Sequence, residues 1–191
     1  MAEIYVAFVD TPGLFALLIR RVIRQRYIHV ALAFDRELKE AYSVGRRNPA
    51  VPLLAGFERE DREKILHKYP HARYQICRIS CTEQQKRELE EQARSTYKKR
   101  FSCHYVILGL PFVVLQRPFY QKNHYTCSSW LAKVTQEAGL QDWGKHFSMV
   151  TPRDVYEAMG KDSGRGQLIF EGELAEWMRC GAQKKWTAVT V

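Results

Sequence analysis

The side chains of this sequence best suited to covalent chemistry are Cys127, heading the segment CSSWLAKVTQEA, and His29, inside the apolar run YIHVALAF. A cysteine attacks a carbonyl carbon only as its thiolate. It therefore needs a stabilised charge, a base within reach, and a group that orients the base. Thr126 suits an N-cap, which places Cys127 in the first turn of a helix over 127–138 that Gly139 ends. Unpaired backbone N–H groups and the positive end of the helix dipole lower a thiol pKa there, and the same groups can form part of an oxyanion hole. Trp130, Leu131, Val134 and Ala138 recur at helical spacing and form the buried stripe that fixes the helix. Taken singly, a cysteine at a helix start and a histidine in an apolar strand are more often packing residues. Their combination is what points to chemistry.

The strand around His29 offers the orienting group. Asp35-Arg36 reads as a two-residue turn between strands at 27–34 and 37–44. Residue 34 then pairs with 37, 31 with 40 and 29 with 42. The two-residue alternation puts His29, Ala31 and Ala33 on the face that carries Glu40 and Tyr42. Glu40 is a diagonal neighbour of His29 within reach of a long side chain, and the small Ala31 and Ala33 leave room beside the imidazole. A carboxylate among Leu38, Tyr42 and Val44 needs a partner, and His29 is the nearest; a solvated glutamate on a surface strand fits the same pattern.

These residues must be held by the rest of the chain. Residues 3–9 (EIYVAFV) read as a strand, and Asp10-Thr11-Pro12-Gly13 opens a helix over 13–25 with Leu14, Leu17, Leu18 and Val22 on one side. Arginines gather toward the C-terminal end of that helix, where they suit its dipole. A Pro/Gly-bearing surface loop, RRNPAVPLLAGF, follows the hairpin. Residues 72–80 form another strand, and Thr82, with the TEQQ that follows it, caps a long charged helix to about residue 98. The apolar stretch 101–121, broken by Pro111 and Pro118, reads as a short helix and a loop. Thr151-Pro152 starts a short helix to Met159, and QLIFEG at 167–172 is a final strand. The order of elements predicts an α+β fold, one mostly antiparallel sheet with helices packed against it, in a single domain over 1–191.

Composition narrows the class. Of 191 residues, 46% are hydrophobic and 12% aromatic, enough for a real core and far from a disordered composition. The longest apolar run, VILGLPFVVL, is about half the roughly 20 residues that span a bilayer. The N-terminus has no basic region ahead of a long apolar stretch, so no signal peptide is expected and the cytoplasm is the expected location. Five cysteines without framework spacing fit reduced thiols. Cys77-x3-Cys81, Cys103-His104 and His124-x2-Cys127 lack zinc-finger spacing, so the expectation is no metal and no cofactor. His67, His71 and His146 have no evident partner and read as surface residues. The net charge of +9 suits an anionic partner. Because no nucleic-acid motif accompanies the scattered arginines, a specific nucleic acid is not expected, and the Arg20–Arg26 cluster leaves an anionic membrane surface as one partner.

YIHVALAFDRELKEAYSVGR followed by HYTCSSWLAKVTQEAGL resembles the permuted papain-like amidases of the NlpC superfamily, the YiiX/YycO-type proteins. In that group the histidine strand and its polar partner precede the cysteine helix. The resemblance runs from about residue 3 to 159. It implies a small antiparallel sheet packed against the cysteine helix, with Cys127 as nucleophile, His29 as general base and Glu40 as the group that orients the base. Related groups place histidine, asparagine or glutamine at the third position. Tyr5, Tyr42 and Ser128 lie where they can line the site or add an oxyanion donor. The implied activity is a thiol hydrolase acting through a thioester on an amide, peptide or ester substrate. Two alternatives stay open: a lipid acyltransferase or phospholipase of the permuted lecithin:retinol acyltransferase type, and a catalytically silent basic module for membranes or nucleic acid.

Overall fold

The computed structural model describes residues 1–10, 12, 17, 20, 21, 23–46, 55–105 and 117–183. Among them the chain forms one sheet of eight strands: β1 (Ala2–Asp10), β2 (His29–Ala33), β3 (Ala41–Arg46), β4 (Ala55–Arg59), β5 (Arg73–Cys81), β6 (His104–Tyr105), β7 (His124–Tyr125) and β8 (Gln167–Glu173). The strand order is β7-β6-β4-β3-β2-β1-β5-β8, antiparallel throughout except for the short parallel pair β6/β7. The α-helices are α1 (Arg62–Lys68), α2 (Glu83–Lys98), α3 (Cys127–Glu137), α4 (Pro152–Met159) and α5 (Leu174–Gln183). The fold is α+β.

Both faces of the sheet are covered, which explains why β1 is apolar almost throughout instead of alternating. Ile4, Val6 and Phe8 point into the core shared with Leu89 of α2, Leu131 of α3 and Met159 of α4. Tyr5, Ala7 and Val9 point into a second core closed by α1 and α5, through Ile65, Leu66, Leu174 and Trp177. A central strand buried on both sides has no polar face to show.

The helix starts follow from their caps. Thr82 and Gln85 form a reciprocal capping box at α2, and Thr126 with Ser129 and Thr151 with Asp154 do the same at α3 and α4. Gly139 takes the left-handed φ of 60° just beyond α3. Of the helix expected over 13–25, residues 17, 20, 21 and 23 are helical and Leu17 is exposed. Its other apolar positions (14, 18 and 22) lie outside the described residues, as does the apolar segment 106–115.

Two expectations need correction. The stretch expected to be a surface loop runs into β4, whose first three residues it contains, and β4 pairs with β3 from Tyr42↔Arg59 to Arg46↔Ala55. The hairpin register also differs. Leu32 pairs with Tyr42 and Ala33 with Ala41, so the connection spans residues 35–39 in place of a two-residue turn. Asp35 is the cause: its carboxylate accepts the N–H groups of Lys39 and Glu40 at 2.9 and 2.6 Å. Leu38 completes the wider loop at φ 57°, with its side chain fully buried in the second core. The three-residue shift reverses the parity of β3 against β2.

Candidate active site

Cys127 is the first residue of α3, and the helix is anchored on three sides. Trp130 packs its ring 4.6 Å from that of Phe57 on β4, Leu131 and Val134 are buried in the sheet core, and Ser128 donates through Oγ to the Val150 carbonyl at 2.7 Å. The Cys127 side chain is only 6% exposed. Backbone N–H groups of Val30 and Ser128 donate to its sulfur, and the imidazole of His29 faces it as a hydrogen-bonding and charged partner.

His29 opens β2, opposite Val9 of β1. Continuing the β2/β3 register puts Gly45 beside it on the other flank, where a Cβ would stand 3.4 Å from His29 Cε1. Its Nε2 lies 2.5 Å from Glu60 Oε1 and 3.1 Å from Ser43 Oγ, and Ser43 Oγ donates to the same Glu60 oxygen at 2.6 Å. With Nε2 held by these two oxygens, Nδ1 is the nitrogen left for the thiol.

The structure thus brings Cys127 and His29 together and puts Glu60, not Glu40, at the imidazole. The parity reversal turns Glu40 away: it takes Arg94 Nε at 2.8 Å, Arg94 Nη2 at 3.1 Å and the Tyr42 hydroxyl at 3.2 Å. Tyr42, expected to line the site, stacks on Phe57 at 5.8 Å and commits its hydroxyl to Glu40. Tyr5 lies opposite Ala33, four residues along β1 from the partner of His29, a separation of about 13 Å. Its hydroxyl donates to Glu3 at 3.0 Å. The Ser128 hydroxyl is spent on Val150, so Ser128 reaches the sulfur only through its backbone N–H.

Glu60 and Ser43 were missed for different reasons. Glu60 sits in FEREDREK, where Glu58, Glu60, Asp61 and Glu63 read as one charged surface run. One signal was there: Asp61 caps α1 by accepting the N–H groups of Glu63 and Lys64, which makes Glu60 the last residue before a helix start. Ser43 needed only the correct register.

Burial alone would lower the imidazole pKa, but the Glu60 carboxylate and the Cys127 sulfur outweigh it and push His29 up to about 10. Burial would raise the Cys127 thiol, and the imidazolium with the two N–H donors holds it below its ordinary value instead. The same balance holds Glu60 ionised: burial raises it, while His29 and the Ser43 hydroxyl overcome that and leave it lowered. Burial pushes Cys77 up to about 12 and raises Cys81, and the lowering by Lys161 at the first and by Lys86 at the second does not reverse it. These directions favour the thiolate–imidazolium form of the pair, backed by a carboxylate.

Proton linkage gives this pair a signature in stability. In the unfolded chain the imidazole titrates near about 6.5 and the thiol near about 8.5. The raised imidazole contributes stability that is complete below about 6.5 and is lost as pH climbs toward about 10. The lowered thiol contributes stability that is complete above about 8.5 and is lost as pH falls toward its folded value. Between those two values each state binds one proton on this pair, so the contribution is level there and declines on both sides. Denaturant midpoints of the wild type against a His29→Ala/Cys127→Ala double variant are expected to show this plateau. Above it the difference should shrink by up to about 1.4 kcal/mol per pH unit. A difference that runs one way from about pH 5 to 10 would mean that the two groups do not share a single proton across this range.

Among the described residues no three metal-ligating side chains converge, and no helix is long and apolar enough to cross a membrane. Comparison with protein-family models, curated proteins and solved structures finds no match.

Proposed function

We propose that this chain is a thiol hydrolase of permuted papain-like, NlpC-type architecture, cleaving an amide, peptide or ester bond. The observation that carries the reading is the Cys127–His29–Glu60 chain of contacts, in which a helix-terminal thiol faces an imidazole whose other nitrogen is held 2.5 Å from a buried carboxylate. Glu60 takes the orienting role expected of Glu40. The order histidine, carboxylate, cysteine along the sequence supports the permuted arrangement.

The thiolate attacks the carbonyl carbon, and the oxygen takes the negative charge beside the donors nearest the sulfur, the N–H groups of Val30 and Ser128. His29 passes its proton to the leaving amine or alcohol, which departs as the thioester forms. Neutral His29 then accepts a proton from water as it attacks the thioester, releasing the acid and restoring the ion pair. Glu60 fixes the ring through both steps. A second nucleophile in place of water gives acyl transfer with the same three side chains. The five free thiols suit a reducing compartment, and the cytoplasm is the location we assign.

Limited alkylation with iodoacetamide at about pH 6, read by mass spectrometry, tests the site. Cys127 should be modified well ahead of Cys77, Cys81, Cys103 and Cys180, although Cys180 is the exposed one. His29→Ala should suppress that labelling by at least about tenfold, the effect of one pKa unit or more on the thiolate fraction. Equal labelling of all five, or Cys180 first, would remove the hydrolase reading.

A further inference from the structure

We infer that Ser43 is a positioning residue that holds the Glu60 carboxylate against Nε2 of His29 and so leaves Nδ1 as the base; the inference rests on the hydrolase reading above. The argument begins with the strand. On the face of β2 and β3 that carries His29, the neighbours Ala31, Ala33, Ala41 and Gly45 offer no side-chain polar atom, and Ser43 is the exception. A serine 2% exposed in such surroundings must find its hydrogen bonds inside the protein. It finds both of them at the imidazole end of the site.

The three atoms close a triangle: Ser43 Oγ to Glu60 Oε1 at 2.6 Å, Ser43 Oγ to His29 Nε2 at 3.1 Å, and Nε2 to Oε1 at 2.5 Å. A hydroxyl has one proton to give. If it went to a bare Nε2, that nitrogen's lone pair would face the carboxylate at 2.5 Å with no proton between them. The arrangement that satisfies every atom sends the hydroxyl proton to Glu60, and Nε2–H then donates to both oxygens. Neutral His29 therefore carries its proton on Nε2 and presents a bare Nδ1 to the Cys127 side. Glu60 alone is a flexible side chain at a strand end. The Ser43 bond holds its carboxylate in the ring plane's reach, so the imidazole need not search for it.

The groups that bear on His29 are Glu60 and Cys127, with Tyr74 beyond Glu60, its buried hydroxyl without a hydrogen-bond partner among the described residues. Ser43→Ala leaves all of these in place and removes only the hydroxyl. The test is the pH profile of Cys127 alkylation by iodoacetamide in wild type and Ser43→Ala, with thermal unfolding followed alongside. The wild type should gain reactivity as the thiolate forms, at a pH well below that of an ordinary thiol. In Ser43→Ala this limb should move to higher pH, with the rate at about pH 6 falling roughly tenfold, equivalent to one pKa unit. A wild-type protein unreactive at about pH 6 would sink the hydrolase reading itself. A reactive wild type with an unchanged limb in Ser43→Ala would overturn only the role of Ser43.

A second measurement stands whether or not Ser43→Ala folds. Cys127→Ala removes the thiolate that raises the imidazole pKa, bringing neutral His29 within an accessible pH range. Nitrogen NMR of that variant should then show the neutral ring protonated on Nε2. A ring protonated on Nδ1 would overturn the inference.

Discussion

Glu60→Gln is expected to lower both turnover of a carbonyl substrate and alkylation of Cys127 at about pH 6 by roughly 10²–10⁴-fold while the fold persists; neutralising the carboxylate behind a catalytic histidine has effects at the upper end of that range and weakening an outer-shell partner at the lower end. The amide keeps the size of the carboxylate but loses its charge, and with it the main force that holds His29 up to about 10. It also gains an NH₂ that can donate to Nε2, favouring the tautomer with its proton on Nδ1, where the base must be bare. Glu40→Gln is the control. Glu40 is held by Arg94 and turned away from His29, so its loss should cost about 0.2–1 kcal/mol of stability and leave the alkylation rate within about twofold. Both variants remove one negative charge from beside the ends of neighbouring strands. Equal losses would mean that net charge alone governs the site, and an unaffected Glu60→Gln would mean the imidazole is oriented by something else.

The largest effect on stability is expected from Phe57→Ala, at about 3–5 kcal/mol for a buried phenylalanine, a large share of the roughly 5–15 kcal/mol that holds a domain together. Phe57 is fully buried and stacks on Tyr42, and its ring meets Trp130 of α3. It stands three residues before Glu60 on the strand and packs three residues beyond Cys127 on the helix, so one ring joins the carboxylate to the nucleophile. Chemical denaturation gives the stability change. Alkylation of Cys127 under native conditions should also slow, because the helix loses its reference against the sheet. Phe57→Leu should lose less of both. A stability loss with an unchanged alkylation rate would show that the N-terminus of α3 is held by Ser128 and the capping box without help from Trp130.

What was readable in advance follows from the range of the forces involved. The α2, α3 and α4 starts were legible because Thr82, Thr126 and Thr151 make their capping bonds to residues three positions on, and β1 because a long apolar stretch buried on two faces has few other structures open to it. The hairpin was not. Its register rests on the Asp35 carboxylate reaching the amides of Lys39 and Glu40 and on Leu38 accepting a positive φ to bury its side chain. Leucine gives no warning of a left-handed conformation, as glycine or asparagine does. That one error carried Glu40 into the site and kept Ser43 out. Glu60 was hidden differently: its burial is decided by β4, whose Ala55 and Gly56 read as loop, and by a histidine 31 residues away in sequence.

The order of these residues along the chain also sets the timing of their assembly. His29, Ser43 and Glu60 leave the ribosome before Cys127, and the last gap, 67 residues from Glu60, takes roughly 3–13 s at about 5–20 residues per second. Through that interval the site lacks its sulfur. When the thiol does emerge, it is an ordinary cysteine until α3 docks and Val30 and Ser128 turn their amides on it. Under the proposed hydrolase reading, activation of the thiol is therefore coupled to completion of the core.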